Sequence, residues 1–165
     1  MRTPFTVALL LLSAFSVLGA DDPAKLHAID FATKAAMSNL FEIEAAKIEV
    51  VKGEASDAKQ FAEDMLKDHG KALPLLADAA KQDGIEAPVA LDAEYSQKLA
   101  ALKQSDETNL DRAYLSTQVT AHQQAVELFT NYSKEGPDGQ LKNAAAKIVP
   151  DLRMHLTRVQ GLISK

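Results

Sequence analysis

The sequence predicts an all-α fold: a four-helix bundle with a short extra helix between the second and third long helices. Three observations carry this. Beyond residue 20 the chain is rich in Ala, Leu, Lys, Glu, Gln and Asp, with no strand-like alternation. Apolar residues recur at alternating steps of three and four along four long stretches, as the seams of packed helices do. Gly53, Gly84 and Gly136 follow three of those stretches, where a helix C-terminus needs a residue that does not continue it.

The first residues stand apart from that pattern. Met1-Arg2 is a short positive start, Phe5 to Leu18 is apolar apart from Thr6, Ser13 and Ser16, and Leu18-Gly19-Ala20 precedes Asp21-Asp22-Pro23. That order predicts a secretory signal peptide over 1–20, with the bundle domain over 21–165. The apolar run is shorter than the ~20 residues a membrane-spanning helix needs. With 0 cysteines, neither lipid attachment at a cysteine nor disulfide support is available, and the core alone must hold the fold.

The four long helices are predicted at about Pro23–Lys52, Ser56–Asp83, Thr108–Glu135 and Asp138–Ile163, with the short one at about Asp92–Gln104. Ser56, Thr108 and Asp138 are the expected N-caps, and Thr108 with Asp111 resembles a capping box. Short loops make helices one and two, and helices three and four, antiparallel pairs. The connection between helices two and three is long enough to run back along the bundle. A ferritin-like crossover and a simple up-down order both satisfy it. Pro74 and Pro150 fall inside helical stretches and are expected to bend them, either by curvature around the core or by opening space near a site.

Charge excludes some functions. The chain carries 18 Lys+Arg against 23 Asp+Glu, a net charge of −5, and loss of the leader would remove Arg2 as well. Nucleic acid and anionic membrane surfaces are therefore not expected partners. An envelope protein partner stays open. No second apolar stretch is long enough to span a bilayer, and no phosphate loop, nucleophile elbow or zinc-protease helix is present.

The seams carry the candidate site. They run through Ile29, Ala32, Ala36, Asn39, Ile43, Ala46 and Val50 in the first helix, and Ala58, Ala62, Met65, His69, Ala72, Leu76 and Ala79 in the second. In the third they run through Leu115, Val119, His122, Val126 and Phe129, and in the fourth through Leu141, Ala145, Ile148, Leu152, His155, Val159 and Leu162. The polar interruptions are Asn39, His69, His122 and His155, all near mid-helix, with Glu42 one turn beyond Asn39.

Two readings fit. In one, His69, His122, His155 and Glu42 hold a single transition-metal ion (Zn, Cu or Fe), with Asn39 and Met65 as neighbours; imidazoles on facing helices are common ligands for these metals. In the other, the same side chains satisfy one another and only fix helix register. His27 is expected in solvent, and Tyr114 is expected to find a structural partner for its hydroxyl. Di-iron oxidase chemistry is not expected. It uses Glu-x-x-His pairs, and Leu66, Val119 and Leu152 stand three residues before the histidines. No catalytic residue is assigned.

The segments Phe31-Ala-Thr-Lys-Ala-Ala, Asn39-Leu-Phe-Glu-Ile-Glu, Phe61-Ala-Glu-Asp-Met-Leu-Lys-Asp-His, Asp111-Arg-Ala-Tyr-Leu and Pro150-Asp-Leu-Arg-Met-His-Leu, in this order, resemble the domain of unknown function 4142 family. The resemblance covers about residues 28 to 163. It implies an exported bacterial protein with a ferritin-like four-helix bundle, and it implies no established activity.

Overall fold

The computed structural model describes residues 22–87 and 90–164. The predicted leader over 1–20 lies outside the described residues. Five helices follow in order: α1 (Pro23–Lys52), α2 (Ser56–Gln82), α3 (Ala93–Gln104), α4 (Glu107–Glu135) and α5 (Gln140–Ile163). Each lies within a residue or two of its predicted span.

Hydrogen bonds at the two ends of the bundle decide the topology. The end of α1 meets the end of α3, where Lys52 Nζ donates to the Lys103 carbonyl at 2.8 Å. Asp111 near the start of α4 accepts from the backbone N–H groups of Glu54 and Ala55 at 3.0 and 2.9 Å. At the opposite end, Asp83 just past α2 accepts from the N–H groups of Gln140 and Leu141 at 2.9 and 2.8 Å. Neighbouring long helices are therefore antiparallel throughout. The chain between α2 and α4 travels the length of the bundle, and its helix α3 packs on α1 and α4. This single long crossover is the ferritin-like arrangement; the up-down order is ruled out.

The same bonds correct the expected caps. Ser56 is the first residue of α2 rather than its cap; the cap position is Ala55, without a side-chain bond. Asp106 precedes α4 and Gly139 precedes α5, again without side-chain caps. Asp111 and Asp83 instead supply carboxylates across the fold to the starts of α2 and α5. An acidic group at a helix N-terminus satisfies orphan donors and the positive end of the helix dipole wherever in sequence it comes from.

The core divides into two clusters. One, toward the α4–α5 turn, contains Phe31, Leu76, Phe129, Tyr132, Leu141 and Leu152. The other, toward the α1–α2 turn, contains Phe41, Phe61, Met65, Leu110, Tyr114 and Val159. Seam residues His69, His122 and His155 lie between them along the chain of each helix. Ile29 departs furthest from expectation, and Ile43, Val50, Ala72, Val119, Val126 and Leu162 are half-buried rather than buried. Ile29 is 36% exposed, because α1 buries Ala28, Phe31 and Ala32 at that level instead. In α4 the buried line passes through Gln118 while Val119 is only half-buried, because this helix packs against α1, α5 and α3 at once.

Pro74 and Pro150 lie on exposed faces, as do Gly70 and Ala146, whose carbonyls lose their helical donor. Both breaks therefore fall on the outer side of their helices, which fits helices curving around the core. No helix among the described residues is long and apolar enough to cross a membrane.

Candidate metal centre

His69, His122 and His155 are 5%, 1% and 4% exposed. They come from α2, α4 and α5, each placed inward by the three-and-four spacing of its seam. Their rings are mutual neighbours, with centroids 5.6, 5.8 and 5.4 Å apart. One ring nitrogen from each lies within 4.8 Å of the others.

Each ring is held from behind by an acceptor. Asn39 donates its amide to the Ala35 carbonyl at 3.0 Å, which turns its Oδ1 toward His69. His69 Nδ1 lies 3.0 Å from that oxygen. His122 Nδ1 lies 3.0 Å from the Gln118 carbonyl, one turn back on α4. His155 Nε2 lies 3.2 Å from Asp68 Oδ2, across the α2–α5 seam. Each partner can only accept, so each of these nitrogens carries the proton. The other three nitrogens, His69 Nε2, His122 Nε2 and His155 Nδ1, are buried without a partner. Three lone pairs thus face inward with no donor between them.

A point central to nitrogens no more than 4.8 Å apart is within about 2.8 Å of each. Closing to the ~2.1 Å of a metal–imidazole bond requires less than about 1 Å of movement. The remaining histidine contacts are the hydrogen-bonded supports that metal-bound imidazoles characteristically have.

Burial also keeps the His69 and His122 rings neutral. Desolvation first, then the neighbouring histidines, lowers the His69 pKa well below 6.5. His122 is lowered to about 4 by desolvation and His155, against an opposing effect of the Gln118 carbonyl. Neutral imidazole is the form that binds a metal.

The other predicted residues fall around this cluster. Met65, one turn before His69, is fully buried. Glu42 is 2% exposed, and its Oε1 is 4.0 Å from His122 Nδ1, the nitrogen that faces Gln118. It is not among the residues whose ligand atoms converge. Desolvation raises its pKa to about 8, with the nearby Gln118 amide pulling the other way. His27 is exposed at the start of α1, its ring edge-on to Tyr132 at 5.3 Å.

The family model of a domain of unknown function, DUF4142, matches residues 16–162. The chain belongs to the DUF4142 family. A solved structure described as a DUF305 fragment from Deinococcus radiodurans superimposes with a TM-score of 0.73 at 14% sequence identity. The match covers 87% of this chain and 99% of that one. At that identity the likeness concerns the fold. Comparison with curated proteins gives no match.

A second polar region of this DUF4142 bundle holds Glu49 and Gln118, which sequence reasoning passed over, and Tyr114, whose hydroxyl does not find the expected partner among the described residues. Glu49, Tyr114 and Gln118 are each 0% exposed. Both Glu49 oxygens, the Tyr114 hydroxyl and the Gln118 side-chain amide lack partners among the described residues. Glu49 is pushed up to about 8, by burial first and then by the adjacent Asp111. Gly53 lets that carboxyl in, since a Cβ there would collide with Glu49 Oε1. Asp111 is held below the ordinary carboxylate range; burial opposes this, but Glu49 and the Ala55 and Glu54 N–H groups outweigh it. A spacing of seven residues from Glu42 to Glu49 was the available signal, since it returns to the same helix face. Asp68 directly precedes His69, and its reach to His155 depends on α5 packing beside α2.

Proposed function

We propose that this chain is an exported, non-catalytic bundle protein that binds one transition-metal ion among His69, His122 and His155, serving metal handling in the cell envelope. The observation that carries this reading is the convergence of one nitrogen from each of three buried rings, each ring having one nitrogen without a partner and the other fixed by an acceptor. Three imidazoles suit Zn, Cu or Fe far better than Mg or Ca, which prefer oxygen. Glu42 is the acidic member of the set. With its pKa raised to about 8 it holds its proton until a cation arrives, and on releasing it would supply the negative charge that neutral imidazoles lack, as a fourth ligand after a side-chain movement or as a nearby counter-charge. Met65 is the adjacent soft donor. The helices would contribute a rigid, dry enclosure.

The test is metal analysis of tag-free protein after incubation with Zn(II), Cu(I) and Fe(II). One ion per chain, lost in a His122 variant, is expected. Absence of stoichiometric ion under all three conditions overturns the reading. Export rests on the leader over 1–20. N-terminal sequencing of protein recovered from the cell envelope should begin at Asp21; a chain beginning at Met1 in the cytoplasm would refute it.

A second reading has its own support. The Asn39–His69 and Asp68–His155 contacts bind α1 to α2 and α2 to α5, as a purely structural polar layer would. The two readings diverge on His122, whose hydrogen bond among the described residues goes to a carbonyl of its own helix.

A further inference from the structure

The three histidines are not equally enclosed. A cavity of about 30 Å³ between α2 and α5 is bordered by Asn39, Asp68, His69, Asp151, Leu152 and His155, with Ala72 also on its wall. His122 is absent from its lining and lies deeper. By the space one water occupies, that volume admits roughly two water-sized particles. Two of the bordering residues carry buried nitrogens without partners, His69 Nε2 and His155 Nδ1. Two others are carboxylates: Asp151 is exposed on α5, and the Asp68 side chain is 34% exposed while reaching His155. A cation approaching this cleft would meet Asp151 in solvent, then Asp68, then the inner nitrogens. Low-dielectric walls between like-signed groups concentrate a field of that sign and speed association.

We propose that the ion reaches the histidines through this α2–α5 cleft, with Asp151 as the capture residue and Asp68 as a positioning residue that both lines the passage and orients His155. The inference rests on the metal reading above. Asp151 lies outside the three converging nitrogens, so its effect is on the rate of arrival. Ala72 on the same wall is the place to narrow the passage without touching a ligand.

Stopped-flow mixing with Co(II), followed by its visible absorption on imidazole coordination, reads the route directly. Asp151→Asn is expected to slow association about 3- to 10-fold at low ionic strength, with the gap closing in high salt. Ala72→Phe is expected to slow association and dissociation by the same factor, leaving the equilibrium affinity in place. Circular dichroism checks its fold. If it does not fold, Asp151→Lys on the exposed face takes its place and is expected to slow association more than Asp151→Asn. Wild-type loading rates in Asp151→Asn and in the second variant overturn the route while leaving the centre standing. Wild-type protein that binds none of Co(II), Zn(II), Cu(I) and Fe(II) at equilibrium overturns both.

Discussion

Two regions of one core bury polar atoms without partners, and they differ in kind. At the histidine layer, the unpartnered atoms are all lone-pair nitrogens, and they converge. Along α1 and α4, from Glu42 past Gln118 and Tyr114 to Glu49, they include donors as well as acceptors and are strung along the helices. The second region can settle itself: a protonated Glu49 can donate to Asp111, and water can bridge a hydroxyl and an amide. The first has no donor of its own, so its three acceptors need something placed among them: a shared cation, a proton or water. Burial alone therefore does not mark a ligand site. Convergence of one chemical type, each member braced from behind, does.

The sharpest way to break this contrast is at His122. His122→Leu should abolish stoichiometric metal binding, read by equilibrium dialysis. In metal-free protein it should leave the melting temperature unchanged or raise it, because it removes a buried unpartnered nitrogen and orphans no other side chain. If the layer were purely structural, the same variant would cost about 1–3 kcal/mol instead. Next in size, Asn39→Leu frees the His69 ring and should weaken metal affinity about 10- to 100-fold, as loss of a supporting hydrogen bond does.

Protonation separates the regions further. With His122 at about 4, protons compete weakly for the ligands, and bound metal should stay in place down to about pH 5. Metal released near pH 6.5 in a chelator titration would contradict this.

The Glu49 end should give the smallest effect. A carboxyl raised from 4.5 to about 8 in the folded state binds a proton there that the unfolded chain has lost. Its stabilisation is full below pH 4.5 and disappears as pH rises through about 8. His69 and His122, lowered in the folded state, contribute stability above pH 6.5 that is lost on acidification, opposing the carboxyl below that pH. The clear window is therefore pH 6.5 to 8. There the metal-free melting temperature should fall as pH rises, and fall less steeply in Glu49→Gln. Parallel curves for the two proteins would remove Glu49 from the account.

The three-and-four spacing of apolar residues was enough to place four long helices and to put His69, His122 and His155 on their inner faces, because helical periodicity is local and repeats over many turns. It did not reveal Glu49 or Gln118 as buried. Those positions lie where α1 and α4 face each other, and which faces meet is set by packing rather than by the seam spacing of either helix. Nor could the caps be read. Thr108, Ser56 and Asp138 had the right chemistry in the right places, yet Asp111 and Asp83 reach other helices across 56 to 58 residues of sequence.

The sequence by itself determined the helices, their seams and the presence of three inward-facing imidazoles. Only the tertiary structure decided that the two antiparallel pairs are joined by a long crossover rather than in up-down order, that Asp68 braces His155, that one nitrogen from each ring converges, and that Glu42 stands beside His122 Nδ1. The reason is physical. Which face of a helix turns inward follows from the order of its own side chains, whereas which side chains meet depends on the relative height and rotation of separate helices, set by packing that no single segment encodes.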